Sequence, residues 1–408
     1  MRVGSFIAKR IIVRKQRAFS GMVIQLSVIA TALSVAIMIL TLAFVSGFQQ
    51  AIADKVFSFW GNVRVQQHLS NTTDLADEVP GIANDTVISL LKKDPRIRWV
   101  DPYATKATLI KSKANMEGIM LKGVARDFAF DRMRPFMLKG SWLTYDTANP
   151  SIVISAYTAK LLELDTGQKA YLYFLNKENG LPRIRTVRVS GIFKTAIEEY
   201  DRSFAIVDIG LIQKLQQWGA ERLSGYEVTL KDYRQDKNTA DELMDRMPLS
   251  WYATPLKEIY PNIFDWLDLQ DVNRTMIITI MCIVAIINLI SCLLILILER
   301  SKMIGLLKAV GAHDSVVQEI FWKQGLYIGL KGIFWGNIIG LSLCWLQQAT
   351  GFIRLDEAAY YLKSAPVKII WWQIIAVNTG TIGVCFIVLL IPSLLVRKIL
   401  PVKALRFQ

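Results

Sequence analysis

Between Ala18 and Ala53 the chain carries no charged residue. Backbone polar groups in hydrocarbon have no water to bond, so such a run must close its hydrogen bonds internally, as a helix. At about 1.5 Å of rise per residue, Gly21 to Val45 alone crosses a hydrocarbon core of about 30 Å. The run is too long, and too poor in a small-residue cleavage site, for a removable signal peptide, so it predicts a lasting anchor. Three further apolar spans follow, at Thr275–Leu298, about Gly325–Gln347 and Ile369–Val396.

Lysine and arginine orient these spans. Arg2, Lys9, Arg10, Arg14, Lys15 and Arg17 precede the first among Phe6, Ile7, Ile11, Ile12 and Val13, a basic amphipathic entry helix over 1–20. Arg300, Lys302, Lys308 and Lys323, then Arg397, Lys398, Lys403 and Arg406, fall on the same side. The loop 349–368 holds only Arg354, Lys363 and Lys368. The positive-inside rule therefore puts both termini in the cytoplasm of a multi-pass plasma-membrane protein, with the large loop outside.

That loop, residues 61–271, is long enough to bury its own core. Asp85–Lys93 and Asp208–Trp218 carry helical periodicity, whereas the runs at 63–67, 152–156, 170–175 and 185–193 alternate or stay apolar like strands. The predicted class is a membrane α-helical protein of four spans with an α+β periplasmic domain between the first two. The order is 1–20 entry helix, 21–60 first helix and extension, 61–271 domain and 272–298 second helix. Then come 299–314 short helix, 315–348 third helix, 349–368 outer loop, 369–396 fourth helix and 397–408 tail. Asn176–Pro182 is a polar turn between two strand-like runs, a hairpin tip or simply a turn.

A net charge of +14 invites a nucleic-acid reading, but Lys and Arg are not gathered into one aromatic-interleaved domain, and membrane topology accounts for much of the excess. Cys282, Cys292, Cys344 and Cys385 all lie in apolar spans, which leaves no disulfide framework or metal-type spacing. His68 and His313 are the only imidazoles, with no HExxH, and no glycine precedes a lysine, which excludes a Walker A loop. No catalytic residue, cofactor or metal is expected in this chain, and no nucleic-acid partner. Glu198, Glu199 and Asp201 are an acidic group read as the solvated edge of a loop. Lys331, inside the third span, is either a functional charge or a snorkelling one.

The stretch Glu299–Phe321 lies between two spans. Met303, Leu306, Leu307 and Val310 project to one face of a short helix, and Ser301, Gly305, Lys308 and Ala309 to the other, small and basic, as an interfacial or partner-docking helix requires. Gly311 is placed to end it, and Ser315 with Gln318 to open the next helix as a capping box. Gly325, Gly329, Gly332, Gly336 and Gly340 form a stripe that admits close helix packing.

ERSKMIGLLKAVGA at 299 resembles the coupling helix of ABC transporter permeases with an FtsX-like core, with Met303 where an acidic residue is usual. PVKALRFQ at 401 resembles that family's ending. GIMLKGVARDFAFDRMRPFMLKGSWL at 118, IVISAYTAKLLELDTGQKAYLYF at 152, RIRTVRVSGIFKTAIEEYD at 183 and YYLKSAPVKI at 360 resemble the lipoprotein-releasing permeases of the LolC/LolE family. The resemblance covers nearly the whole chain.

It implies an ATPase-coupling helix made of Glu299, Arg300, Ser301, Lys302, Met303, Ile304, Gly305, Leu306, Lys308, Ala309 and Gly311. The implied partners are a LolD-like ATPase dimer carrying the ATP and Mg, a second LolC/LolE-type permease or second copy, a LolA-like periplasmic chaperone, lipoproteins and membrane lipid. Phe44, Phe48 and Ile52 on the first helix, with Val56, Phe57, Phe59 and Trp60 beyond, are expected as an apolar surface opposite Met276, Ile277 and Ile280. That surface is the expected lipoprotein mouth. Asn176, Lys177, Glu178, Asn179, Gly180, Leu181, Pro182 and Arg183 are the expected chaperone-binding tip. The alternatives are an FtsX-like or MacB-like permease for peptide or amphiphile efflux, and one that signals to a cell-wall hydrolase.

Overall fold

The computed structural model describes residues 19–68, 80–113, 115–146, 149–174 and 183–397. The expected entry helix, hairpin tip and C-terminal tail lie, wholly or almost so, outside the described residues. The helices are α1 (Phe19–Trp60), α2 (Asp85–Lys93), α3 (Ala156–Leu161), α4 (Glu198–Ser203), α5 (Ile209–Leu215), α6 (Asp236–Arg246), α7 (Leu256–Ile259), α8 (Pro261–Glu299), α9 (Ser301–Ala309), α10 (Asp314–Thr350), α11 (Glu357–Tyr360) and α12 (Trp371–Arg397). The strands are β1 (Val63–Gln67), β2 (Gly81–Ile82), β3 (Ile97–Lys111), β4 (Met116–Val124), β5 (Met137–Gly140), β6 (Ser151–Ser155), β7 (Lys169–Phe174), β8 (Arg183–Phe193), β9 (Phe204–Asp208), β10 (Arg222–Leu223), β11 (Gly225–Leu230) and β12 (Trp251–Pro255). Among the described residues, four helices are long and apolar enough to cross a membrane: Gly21–Trp60, Pro261–Glu299, Asp314–Thr350 and Trp371–Val388.

The chain forms two compact units. One holds Gln50–Asp265 with Leu355–Lys363. Its sheet runs in the order β12-β1-β11-β3-β4-β9-β6-β8-β5, with β7 pairing β3 and β8. Most pairs are antiparallel, but β4 with β9 and β6 with β8 are parallel, each reached by a crossover rather than a hairpin. Strands β6 and β11 are buried along their whole length, and their apolar runs follow from burial on both faces. Ile110, Leu121, Ile152, Leu172, Val189 and Val207 build one core cluster. Val63, Val65, Leu91, Val228, Leu243 and Trp251 build another. Helix α2 starts where the Asn84 side chain accepts from the N–H of Thr86 (2.9 Å) and of Val87 (3.2 Å), a side-chain N-cap.

This unit departs from the expected 61–271 at both ends. Val56, Phe57, Phe59 and Trp60 are buried in its core, so the last turns of α1 are part of it. The segment 355–363 of the outer loop also joins it. Lys55 Nζ donates to the carbonyl of Tyr361 (2.6 Å) and of Thr195 (3.0 Å), and Lys194 Nζ lies 2.5 Å from Glu357 Oε2.

The other unit holds the apolar helices. The glycine stripe of α10 packs against α1 of the same chain. A Cβ on Gly332 would lie 2.6 Å from Thr31 Cβ, one on Gly336 2.7 Å from Val35 Cβ, and one on Gly340 3.2 Å from Ile39 Cβ. Gly329 faces Cys385 on α12 instead. Amides tie the remaining helices where no water competes. Asn288 of α8 donates to the Ser27 carbonyl (3.1 Å), and Asn337 and Asn378 exchange hydrogen bonds of 2.8 and 3.1 Å between α10 and α12.

Candidate functional site

The turn between α8 and α10 is built as helix, turn, helix. The Ala312 N–H donates to Leu307 O (2.9 Å) and the Gly311 N–H to Lys308 O (3.1 Å), with Gly311 at φ +92°. That is the Schellman ending, which only glycine enters without steric cost, so the expected stop at Gly311 holds. The expected capping box does not form. Helix α10 begins at Asp314, with His313 as N-cap and no side-chain hydrogen bond there; Asp314 instead places a carboxylate in the first turn.

On α9 neither projected face is uniformly covered. Ile304 is fully buried with Val317, Phe321, Leu296 and Ile297, and Gly305 beside it is buried too. The Lys308 side chain is only 10% exposed, its Nζ 2.8 Å from Asp314 Oδ1. Leu306 is 60% exposed and Val310 83%. Lys308 thus reaches α10, where Asp314 supplies the counter-charge, while Ala309 of the same face stays exposed. An apolar pair is left outward. Glu299, Ala309 and Gly311 are exposed, Arg300, Ser301 and Met303 are half-buried, and the side chain of Lys302 lies outside the described residues.

On α8, Met276, Ile277 and Ile280 are 56%, 37% and 47% exposed, and a shallow open groove runs along Asp271, Val272, Thr275, Met276, Thr279 and Ile280. Thr275 and Thr279 donate back to the carbonyls four residues earlier, Asp271 (2.9 Å) and Thr275 (2.8 Å), which hides their polarity from hydrocarbon. Phe44 and Phe48 are half-buried, and the Phe48 ring meets Trp266 edge-on at 5.2 Å. Ile52 is fully buried, so it packs rather than lines an open surface, and the same correction applies to Val56, Phe57, Phe59 and Trp60. Lys331 is exposed, its ammonium 4.7 Å from the Tyr327 ring centroid.

Of the expected tip, Asn176 to Pro182 lie outside the described residues, and Arg183, exposed, opens β8 with its guanidinium donating to Leu215 O (3.1 Å). The acidic group is not a solvated edge throughout. Asp201 is buried and accepts from Thr195 N (2.9 Å), Thr195 Oγ1 (2.8 Å) and Ala196 N (3.0 Å), closing a turn in which Ala196 holds φ +63°. Burial pushes its carboxyl above the ordinary value although these donors pull the other way. Glu198 pairs on the surface with Arg202 at 2.6 Å. His68 stands edge-on to Tyr252 at 6.0 Å.

Sequence reasoning missed a buried charge cluster. Lys122 and Glu227 are both buried, with Nζ 2.8 Å from Oε1 and 2.9 Å from Oε2. Arg132 pairs with Asp101 at 2.8 Å beside them, and the Arg64 guanidinium stacks 3.7 Å over the Trp60 ring. Desolvation pushes the Lys122 ammonium down to about 8 and the Glu227 carboxyl up. The available signal was one charge in each of two otherwise apolar runs, IMLKGV and GYEVTL.

Two family models match the chain. The MacB-like periplasmic core domain covers residues 25–246, and the FtsX-like permease C-terminal covers 275–401. The lipoprotein-releasing system transmembrane protein LolC of Xylella fastidiosa (strain Temecula1) is 22% identical over 97% of this chain and 96% of that relative. LolE of Haemophilus influenzae is 21% identical over 96% of each. The solved periplasmic region of MacB from Actinobacillus actinomycetemcomitans aligns with 51% of this chain and 95% of that one, at 14% identity and a TM-score of 0.35, too low to carry an argument. A MacB-like core spanning more than half of the chain, an FtsX-like half after it and near full-length relatives named LolC and LolE lead to one placement: the chain belongs to the LolC/LolE family of FtsX-like and MacB-like permeases.

Proposed function

We propose that the chain is the transmembrane subunit of an ABC transporter that extracts acylated lipoproteins from the outer leaflet of the inner membrane. A separate LolD-like ATPase drives the extraction, and a LolA-like periplasmic chaperone takes the cargo for sorting to the outer membrane. The observation that carries this reading is the near end-to-end match to relatives whose names state lipoprotein release. Physical chemistry says why such a step needs ATP. A lipid anchor of about three chains, at about 0.8 kcal/mol per buried CH₂, does not leave a bilayer on a useful timescale unaided. The short helix α9, presenting Leu306 and Val310 between two membrane helices, is a suitable contact for an ATPase groove. The apolar face at Met276, Ile277 and Ile280 is suited to acyl chains that enter sideways from lipid.

The test is reconstitution of the chain with the ATPase, and with a second permease where one co-purifies, in liposomes holding an acylated lipoprotein. ATP-dependent transfer of the acylated form to soluble chaperone, and none of an unacylated control, is the expected result. ATP hydrolysis indifferent to acylation would sink the reading. It would favour the second one, efflux or signalling by an FtsX-like or MacB-like permease, which the two family matches support in general form.

A further inference from the structure

Helix α1 does not end in a loop. It passes through two residues, Gly61 at φ +71° and Asn62, into β1, whose partners are β11 and β12. A Cβ on Gly61 would lie 2.9 Å from the Val228 carbonyl oxygen, so the chain turns here against the backbone of β11. Asn62 completes the seam, with its N–H donating to Val228 O (2.7 Å) and its Oδ1 accepting from Leu230 N (2.7 Å).

The last carbonyls of a helix carry the negative end of its dipole and lack intrahelical partners. In α1 one of them is capped from within the core: Lys122 Nζ donates to the carbonyl oxygen of Phe59. Lys122 stands on β4 and Glu227 on β11, so the ammonium ties the helix end to two strands of the sheet at once. The rings beside it leave little room for another arrangement. Phe59 stacks on Tyr200 at 4.9 Å, Trp60 meets Phe204 edge-on at 5.0 Å, and the ammonium lies 4.3 Å from the Trp60 centroid.

We propose that Lys122, seated on Glu227, is the positioning residue that locks the C-terminal turn of α1 to the sheet, so that this turn and the sheet move as one body. The proposal rests on the reading of the chain as an ATP-driven transporter subunit. Its requirement is a rigid joint, and a flexible tether would dissipate the stroke.

The test uses the full chain with its ATPase in nanodiscs, in a background with Cys282, Cys292, Cys344 and Cys385 replaced by Ala and spin labels on Asp54→Cys of α1 and Lys237→Cys of α6. Because Lys122→Met alone strands a buried carboxylate, the variants read are Lys122→Met/Glu227→Leu and Lys122→Met/Glu227→Gln. The expected result in either that folds is a broadened label-to-label distance, lipoprotein released per ATP reduced at least fivefold, and unchanged basal ATP hydrolysis. An unchanged distance distribution overturns the proposal, as does broadening without loss of coupling. Failure of both variants to fold assigns the pair to stability alone and overturns it too. If the unmodified chain releases no lipoprotein, the transport reading fails, and the distance width still decides whether the joint is rigid.

Discussion

Lys308 Nζ and Asp314 Oδ1 face each other at 2.8 Å across the turn at Gly311, so the Lys308 charge is neutralised within its own turn while Leu306 and Val310 stand outward. An apolar pair that docks a partner loses most when it is made charged, since the charge must be desolvated at the contact. Leu306→Asp or Val310→Asp should therefore lower ATPase co-purification at least about tenfold, a cost of about 1.4 kcal/mol or more. Lys308→Met paired with Asp314→Asn should leave it within about twofold, because a partly exposed ion pair contributes about 0–1 kcal/mol. Pull-down at fixed ionic strength separates the two; equal loss in both would return the contact to the basic face.

Gly336→Leu is expected to be among the most damaging single changes in the apolar helices. Its new Cβ would stand 2.7 Å from Val35 Cβ and 2.8 Å from the Ala32 carbonyl oxygen, with a backbone neighbour that cannot give way. Overpacking of this kind costs about 1–3 kcal/mol or more. Gly380→Ala, where a Cβ meets nothing within 4 Å, is the control and should be neutral. Thermal unfolding in detergent reads both.

A photo-reactive residue at Met276 or Ile280 should label the acyl chains of a bound lipoprotein, and one at Ile52 should label only protein, since Ile52 is wholly buried while the other two are about half exposed. An unacylated cargo gives the background. Strong acyl labelling from Ile52 would show that the burial opens during turnover.

Asp94 sets an acid limit on the domain. The side-chain hydrogen bond from Arg96 (2.7 and 3.0 Å) holds its carboxyl below the ordinary value of 3.8, against a smaller opposing effect of burial. A depressed carboxyl contributes stability that is complete above the unfolded value and is lost as pH falls through the folded one. Stability should thus fall as pH drops below about 3.8, and less steeply in Asp94→Asn. Acid titration of the unfolding midpoint gives the slopes, and parallel slopes would exclude Asp94.

Asp201→Ala should cost about 1–3 kcal/mol, since it leaves the buried N–H of Thr195 and the half-buried N–H of Ala196 without their acceptor. The matching measurement is the denaturation midpoint, with Glu198→Ala, whose carboxylate is on the surface, expected within about 0.5 kcal/mol of the parent.

Much of the architecture could be read directly, because hydrocarbon permits few solutions: an uncharged run such as Ala18–Ala53 has to be helical. Strand periodicity likewise located β1, β6, β7 and β8. The faces of α9 escaped because a helical projection says which residues lie together but not which side another helix will cover. Asp314, which pairs with Lys308 across the turn, lies outside the projected set. The apolar residues at the end of α1 leave two readings for a related reason: Phe57, Phe59 and Trp60 suit a lipid-facing surface and a domain core equally well by chemistry alone, and the structure packs them in the core. Lys122 and Glu227 sit far apart in sequence, and only the pairing of β11 with β3 and of β3 with β4 brings them together.

The glycines that bring α10 onto α1 constrain motion as well as packing. At about 3.6 residues per turn Ile333 stands about 60° around the helix from Gly336, so a roll of α10 that turned its side chain toward α1 would drive it at the backbone of Ala32, where even a Cβ has no space. The three close contacts, one helical turn apart, leave α10 one rotational setting against α1.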